Sequence, residues 1–282
     1  MIFTILWSEF YEATMITREI DIENIAEPRK VTVIYGPRRV GKTTLLKEYL
    51  NKSPLKYKLV TGDDIRVQEV FGSRDLSLLL QFTAGYDILA IDEAQQIPNI
   101  GLGLKLLVDE SPALTIIVTG SSSFQIAQHL GEPLTGRKKV SILYPLSQRE
   151  LLQKSNAFEL NQNLHKALVF GNYPEVVTAK TREHKIEILL ELVNSYLLKD
   201  VFSLERIRGS KQLVDILRLL AFQIGNEVSL SELATQVHLD VKTVQRYLDI
   251  LEKSFVIIRL SPFSRNLRKE ISGKQKYYFY DT

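Results

Sequence analysis

Apolar and polar positions follow two alternating patterns through the first half of the chain. Short runs rich in β-branched residues are typical of strands buried in a parallel sheet, and amphipathic helical stretches separate them. The strand-like runs are VTVIY, KYKLVTGDD, ILAI, ALTIIVTG and KKVSILYP. This alternation predicts an α/β fold with a three-layer parallel sheet in residues 1–147.

The second half of the chain has a different pattern. Apolar positions keep a helical period through residues 148–223, which predicts a group of helices after the sheet. Further on, Ser229 with Glu232 matches a capping box, and Asp240 can cap a second helix. The apolar face of that second helix comprises Val241, Val244, Leu248 and Leu251. Two short helices followed by the strand patterns FVIIRL and KYYFY predict a winged helix-turn-helix in residues 224–282.

Composition excludes several classes of site. The 282 residues contain no cysteine, so disulfides, thiolate metal sites and cysteine nucleophiles are ruled out, as fits a reducing cytoplasm. With four histidines, a transition-metal site is not expected. The first residues, MIFTILWSEFYE, are too short to span a bilayer and lack a basic lead-in. We expect them to pack on the first domain of a soluble, cytoplasmic protein.

One stretch joins a strand pattern to a helix pattern through two glycines. Residues 36–43 read GPRRVGKT and fit the P-loop spacing G-x-x-x-x-G-K-[ST] between VTVIY and TTLLKEYLN. Such a loop turns its backbone N–H groups towards phosphates at a helix N-terminus. The predicted nucleotide-binding residues are Gly36, Pro37, Arg38, Arg39, Val40, Gly41, Lys42, Thr43 and Thr44. The alternative is an ordinary glycine turn with an exposed lysine.

Within this loop, two side chains have specific roles. Lys42 is expected to reach the β- and γ-phosphates, and the Thr43 hydroxyl to hold Mg²⁺. Asp92 and Glu93 follow the apolar run ILAI, where parallel sheets bind ligands. We expect Asp92 to orient the metal and Glu93 to polarise the attacking water, a pairing that favours a hydrolase. Alternatively, these two acids only cap the next loop.

A third strand pattern ends in hydroxyl side chains. Thr119, Ser121 and Ser122 would face the γ-phosphate if this strand lies between the other two, and Ser121 could sense it or place the water. The alternative is a serine-rich loop that caps the helix SFQIAQHL. No Asn/Thr-Lys-x-Asp loop for guanine is present, which favours adenine and hence ATP.

These segments together resemble a known family. YGPRRVGKTTLL, AIDEAQQIPN, VTGSSSF, LTGRKKVSILYPLSQREL, GNYPEVV, YLLKDV and KQKYYFYDT are similar, in order, to prokaryotic AAA-type P-loop ATPases with a following winged helix. The resemblance implies an AAA-type core, with the third strand pattern lying between the first and second motif strands. It also implies helices that form a lid over the nucleotide.

The resemblance adds candidate residues that the patterns alone do not indicate. Tyr173 and Pro174 match a Gly-Gly-Tyr-Pro-Glu segment that lies against the base, although Asn172 replaces the second glycine. Arg137 in LTGR matches a position that could act as a charge sensor or as an arginine finger towards a neighbour; the alternative is a solvated basic loop. Members of the family continue past YFYDT with a nuclease-like domain, whereas this sequence stops at Thr282. We therefore expect a short member, a shortened gene or a trimmed chain, and we transfer no nuclease function.

The second predicted helix of the winged helix carries outward polar residues. Lys242, Thr243, Gln245 and Arg246 are suited to phosphates and base edges, and the wing adds Arg265, Arg268 and Lys269. Double-stranded DNA is therefore a candidate partner. The alternative is a surface for protein interaction or self-association.

The combined hypothesis is a Mg²⁺-dependent ATPase that couples hydrolysis to a conformational change. The alternative is an ATP-binding switch with negligible turnover. A kinase-like transferase is less favoured because no acceptor site stands out.

Overall fold

A five-stranded parallel sheet forms the centre of the first part of the computed structural model. The model describes residues 16–121, 134–193, 210–263, 265, 270 and 273–281. The strands are β1 Val31–Tyr35, β2 Tyr57–Thr61, β3 Ile88–Asp92, β4 Thr115–Gly120 and β5 Lys138–Ile142. Their order across the sheet is β2-β3-β4-β1-β5, and every pair is parallel. The predicted parallel sheet is confirmed, and β4 lies between the two motif strands as expected.

Burial along the strands explains their sequence patterns. The central strands β1, β3 and β4 are covered on both faces, so they read as continuous apolar runs. The edge strand β2 alternates between exposed and half-buried positions. The helices that the structure describes between residues 16 and 121 are α1 Ile22–Ile25, α2 Lys42–Lys52, α3 Ile65–Gly72, α4 Leu76–Thr83 and α5 Ile100–Glu110.

Short helices follow the sheet, as the helical period predicted. Their bounds are α6 Gln148–Leu151, α7 Ala157–Gln162, α8 Leu164–Phe170, α9 Pro174–Thr178 and α10 Arg182–Glu191. Capping boxes start two of them, with Ser147 and Glu150 at α6 and Asn156 and Glu159 at α7. Each box satisfies backbone N–H groups that the first turn leaves unpaired, which fixes where these helices begin.

The last described part has its own core and sheet. Its elements are α11 Ser210–Phe222, β6 Glu227–Val228, α12 Leu230–Val237, α13 Val241–Lys253, β7 Ile257–Leu260 and β8 Gln275–Phe279. The three strands form an antiparallel sheet in the order β6-β8-β7. Ser229 and Asp240 cap α12 and α13 as predicted. Val241, expected on the apolar face, is instead exposed.

The chain divides into two compact units. Among the described residues, those up to 189 form the first unit and those from 190 to 281 form the second. Helices α6 to α10, apart from the end of α10, therefore group with the parallel sheet, and α11 groups with the antiparallel sheet. No helix in the described ranges has the length and apolar character needed to cross a membrane. The segment MIFTILWSEFYE and the expected helix SFQIAQHL lie outside the described residues.

Candidate phosphate and nucleotide site

The loop between β1 and α2 is held tightly against the sheet. Gly36 begins it, and a Cβ placed there would lie 2.0 Å from the backbone oxygen of Leu143, just after β5. Arg39 and Gly41 have φ angles of 61° and 95°, in the left-handed region. Alternation of left- and right-handed residues turns successive N–H groups into a concave surface that attracts anions. The loop therefore has the backbone form of a phosphate cradle.

Lys42 lies inside this cradle. The residue is 5% exposed, and its Nζ donates to the backbone oxygens of Gly36, at 2.9 Å, and Pro37, at 2.7 Å. A buried ammonium group is costly unless acceptors surround it. The two loop carbonyls supply such acceptors and hold the cation at the base of the loop, where phosphate oxygens would replace or join them. The alternative of an exposed lysine at a plain turn is wrong.

Thr43 and Asp92 meet across two elements. The Thr43 hydroxyl donates to Asp92 Oδ2 at 2.7 Å, and the Thr119 hydroxyl donates to Asp92 Oδ1. Donation of its proton leaves the Thr43 oxygen lone pairs available to a cation. One hydroxyl and one carboxylate fit Mg²⁺, which keeps several waters and binds substrate phosphates. Within the described ranges no group of three or more His, Asp or Glu side chains could hold a metal by itself.

The second acid of the motif lies in a different network. Glu93 adopts a left-handed backbone conformation (φ 50°) and accepts a hydrogen bond from Gln95 Nε2. The same nitrogen donates to Ser121 Oγ at 3.2 Å. Glu93 and Ser121 are thus brought together through Gln95, to which sequence reasoning assigned no role. Ser122 falls outside the described part of the chain.

All these groups lie at one edge of the sheet. The phosphate loop follows β1, Asp92 ends β3, Glu93 comes next, and Ser121 follows β4. Strand β4 pairs in parallel with both β1 and β3. Carboxyl ends of parallel strands meet at the same edge, where open α/β sheets bind ligands. The structure therefore brings the predicted phosphate, metal and water-positioning residues together.

A cavity of about 400 Å³ adjoins the loop. Its walls are formed by residues before β1, the loop, the first turns of α2, the segment between β5 and α6, and helix α9: Ile16, Arg18, Val40, Gly41, Thr44, Leu45, Glu48, Leu146, Pro174, Glu175 and Thr178. Helix α9 is tied to the loop by an ion pair of 3.1 Å between Arg39 and Glu175. Pro174 lines this cavity, and Tyr173 packs against the apolar cluster that includes Val40 and Leu45. Contact of either residue with a base stays a prediction.

Arg18 and Glu150 were not found by sequence reasoning. Arg18 Nε donates to Glu150 Oε1 at 2.9 Å, and its other nitrogens donate to the backbone oxygens of Val40 and Tyr144. The two side chains are 8% and 4% exposed. Glu150 also completes the capping box at Ser147, and nothing in the sequence pattern indicates that its carboxylate pairs with a residue 132 positions earlier.

Charge and burial compete at Glu150. Burial by itself raises the pKa of this carboxyl, but hydrogen bonds from Arg18 and from the backbone N–H groups of Ser147 and Glu19 outweigh it. The pKa of Glu150 therefore lies below its ordinary value, and the group is ionised at neutral pH. The buried pair holds Val40 of the phosphate loop in place.

Arg137 is not at this edge. It directly precedes β5, and its backbone oxygen accepts from Val31 N–H at the start of β1. The length of a five-residue strand, about 15 Å, separates that end from the loop. Its side chain pairs with Asp109 at 2.6 Å. A role for Arg137 as charge sensor at the loop of its own chain is therefore wrong, while contact with a neighbour stays a prediction.

The proposed DNA-contacting residues divide into three groups. Lys242, Gln245 and Arg246 are exposed on α13, whereas Thr243 is half-buried and its N–H and hydroxyl both donate to Asp240. Arg265 is exposed, and Arg268 and Lys269 lie outside the described residues.

One further basic residue of this unit is already paired. Arg259 in β7 forms ion pairs with Asp249 and Glu252 of α13. One positive charge is thereby shared between two carboxylates of the helix.

Two family models match the chain in succession. Residues 28–152 match a family described as "AAA domain", and residues 161–282 match one described as "Domain of unknown function (DUF8612)". The first match contains the phosphate loop, both acids and Ser121.

Similar proteins are found in archaea and bacteria. An uncharacterized protein of Methanocaldococcus jannaschii is 27% identical over 94% of this chain and 64% of its own length. One of Mycobacterium tuberculosis is 28% identical over 89% of this chain and 54% of its own length. The chain thus spans between about half and two thirds of these relatives.

Solved structures show a weaker likeness. Domain III of the Thermotoga maritima replication initiation protein DnaA has 22% identity and a TM-score of 0.37, covering 66% of this chain and 82% of that one. A STAND protein of Pyrococcus horikoshii has 15% identity and a TM-score of 0.41, covering 94% of this chain and 41% of that one.

Proposed function

We propose that the chain binds ATP with Mg²⁺ and hydrolyses it to ADP and phosphate, on the premise that residues 28–152, which match the "AAA domain" family, form an AAA-type P-loop ATPase core. The observation that carries the proposal is the arrangement of Lys42, Thr43, Asp92 and Glu93 at one sheet edge. The cavity beside Gly41 would take the nucleoside, since its size is within the usual range for small-molecule sites.

Each side chain has a distinct part in this chemistry. Lys42 and the loop N–H groups hold the phosphate oxygens and stabilise the charge that develops on them. Thr43 and Asp92 would hold Mg²⁺, which supplies further charge neutralisation at the phosphates when bound. Glu93 accepts a hydrogen bond from the attacking water, and Ser121 can donate to a γ-phosphate oxygen. The acids of the site would then carry both metal binding and water activation.

Coupling to movement is part of the proposal. Arg39 connects the phosphate loop to α9 through Glu175, and α9 lines the cavity. Loss of the γ-phosphate interactions would allow the loop and this helix to shift together. The helices after the sheet would then transmit the state of the nucleotide.

The test uses two variants with matched controls. Lys42→Ala is expected to abolish binding of a fluorescent ATP analogue, whereas Lys47→Ala, an exposed lysine on the same helix, binds normally. Glu93→Gln is expected to bind ATP and to lose about 100-fold or more in phosphate release; the exposed Glu110→Gln serves as control. Equal turnover by wild type and Glu93→Gln would exclude the hydrolytic role of Glu93.

A second candidate function is DNA contact by the second unit. Its helices and three-stranded antiparallel sheet follow in the order typical of a winged helix, and α13 buries Val244 and Leu248 while exposing Lys242, Gln245 and Arg246. Anisotropy of labelled duplex DNA across a salt series tests this function. Phosphate release with and without that DNA separates a DNA-stimulated ATPase from a slow ATP-binding switch.

A further inference from the structure

Gln95 has an unusual environment for an amide next to a proposed catalytic acid. It lies in the 3₁₀ turn Ala94–Gln96 directly after Glu93 and is 7% exposed. Its Nε2 donates both to Glu93 Oε2 and to Ser121 Oγ. In the part of the chain that the structure describes, its Oε1 is buried and has no hydrogen-bond partner.

The chemistry of the carboxylate fixes the orientation of this amide. An ionised Glu93 can only accept hydrogen bonds, so the amide nitrogen has to face it. Rotation of the amide by half a turn would place Oε1 against the carboxylate oxygen, which has no proton to donate, and would break the hydrogen bond to Glu93. The unpaired atom is therefore the oxygen, and leaving such an acceptor buried is unfavourable.

The hydrogen bond to Ser121 leaves that hydroxyl with a defined task. Because Ser121 Oγ accepts from Gln95, its own proton points to another acceptor. Ser121 follows β4, which lies next to the β1 strand that leads into the phosphate loop. A γ-phosphate oxygen held by that loop is an acceptor of the right kind. One amide thus connects a donor for the phosphate to the acceptor for the attacking water.

We propose that Gln95 is a positioning residue that couples the γ-phosphate contact of Ser121 to the placement of the Glu93 carboxylate. Within the described ranges, Gln95 is the hydrogen-bond partner of the Glu93 side chain, so its loss frees that carboxylate to rotate. The unpaired oxygen is unfavourable, but the nitrogen of the same amide holds both the Glu93 carboxylate and the Ser121 hydroxyl. This inference rests on the proposed hydrolysis.

The variants separate positioning from folding. Gln95→Leu keeps the approximate volume and removes both polar atoms, and Gln95→Asn is a second, shorter variant should the first fail to fold. Gln96→Leu is the matched control, because Gln96 is the exposed neighbour in the same turn. The measurements are kcat and KM for ATP, the Kd of a non-hydrolysable ATP analogue, and thermal unfolding.

The expected result is a split between rate and binding. For Gln95→Leu, kcat falls about ten- to a hundredfold while the Kd of the analogue stays within about twofold of wild type. Gln96→Leu retains the wild-type kcat. In a Glu93→Gln background, Gln95→Leu has little further effect, since a residue that acts through Glu93 cannot act after its removal.

Three results would overturn the inference while leaving the proposed hydrolysis in place. Equal kcat for wild type and Gln95→Leu would do so, and so would a parallel loss of binding and rate. A full additional loss in the Glu93→Gln background would show that Gln95 acts independently of that acid. A wild-type chain that binds ATP without releasing phosphate would overturn the proposed hydrolysis and this inference together.

Discussion

The hydroxyl of Thr43 donates a 2.7 Å hydrogen bond to Oδ2 of Asp92, which joins the first turn of α2 to the end of β3. The two residues are 49 positions apart in the chain. Their contact aligns a hydroxyl lone pair and a carboxylate on one side of the phosphate loop, so that a hard cation and the phosphates could share it.

Removal of that hydroxyl should change the metal requirement. Thr43→Val keeps the shape of the side chain, and we expect the Mg²⁺ concentration for half-maximal turnover to rise about tenfold or more. Thr43→Ser keeps the hydroxyl and should remain within about twofold of wild type. A Mg²⁺ titration of phosphate release measures both, and superimposable curves for Thr43→Val and wild type would contradict the assignment.

The buried pair of Arg18 and Glu150 should make stability depend on pH. The pKa of Glu150 is lower in the folded protein than its ordinary value of 4.5. Its contribution to the free energy of unfolding is therefore complete above pH 4.5 and is lost as the pH falls through the folded pKa. The stability advantage of wild type over Glu150→Gln should therefore be larger at pH 7 than at pH 3. Urea unfolding followed by circular dichroism measures it, and a constant difference would contradict the prediction.

Removal of Arg18 alone should lower the free energy of unfolding more than removal of both Arg18 and Glu150. Arg18→Met leaves a buried carboxylate unpaired and is expected to cost about 3 kcal/mol of unfolding free energy at pH 7. The double variant Arg18→Met with Glu150→Met should recover part of that loss. If the two single losses simply add in the double variant, the pair is not the source of the effect.

Alanine substitutions at two glycines should change the stability of the fold in opposite directions. Gly36→Ala places a methyl group 2.0 Å from a backbone oxygen and should destabilise the fold by about 1–3 kcal/mol. Gly72→Ala, at the end of α3, meets nothing within 4 Å and should stabilise by up to about 1 kcal/mol. Thermal unfolding of both variants checks this, and a neutral Gly36→Ala would show that the loop can move away from β5.

DNA binding should depend on charge along α13. Lys242→Glu combined with Arg246→Glu is expected to weaken duplex binding and to lower the slope of log affinity against log salt by about 1 for each phosphate that is no longer neutralised. Lys211→Glu on α11, also exposed, is the control. Unchanged affinity and slope in the α13 variant would show that α13 does not contact DNA.

If Arg137 acts on the nucleotide site of a neighbouring copy, two inactive variants should restore activity to each other when mixed. Arg137→Ala keeps its own phosphate loop, and Lys42→Ala keeps Arg137, so a mixture of the two should regain part of the wild-type turnover. Since the ion pair with Asp109 is partly exposed, its loss should cost at most about 1 kcal/mol of stability. Mixed samples no faster than the sum of their parts would exclude a role in trans.

Local patterns were sufficient for the sheet and for the phosphate loop. Apolar runs ending in GPRRVGKT and in Asp92 specify strands whose carboxyl ends must meet, so the meeting of Lys42, Thr43 and Asp92 could be predicted. Caps at Ser229 and Asp240 likewise depend on a few consecutive residues.

Contacts between distant segments could not be predicted in the same way. Arg18, which precedes β1, pairs with Glu150, which follows β5, and no period or spacing in the sequence indicates that pairing. Arg137 was misplaced for a different reason: its role was taken from the resemblance, whereas its position directly before a parallel strand places it at the opposite edge of the sheet. Val241 continued a helical stripe in the sequence, but at the first position of α13 the unit does not cover it.

The ion pair before β1 also determines where a self-sufficient fragment has to start. A polypeptide trimmed to residues 28–152 would keep Glu150 and discard Arg18, so a bare negative charge would remain in its interior. Such a fragment would have to hydrate or neutralise that charge, and Val40 would lose its anchor. The folding boundary of the nucleotide-binding core therefore lies upstream of the boundary that similarity alone would draw.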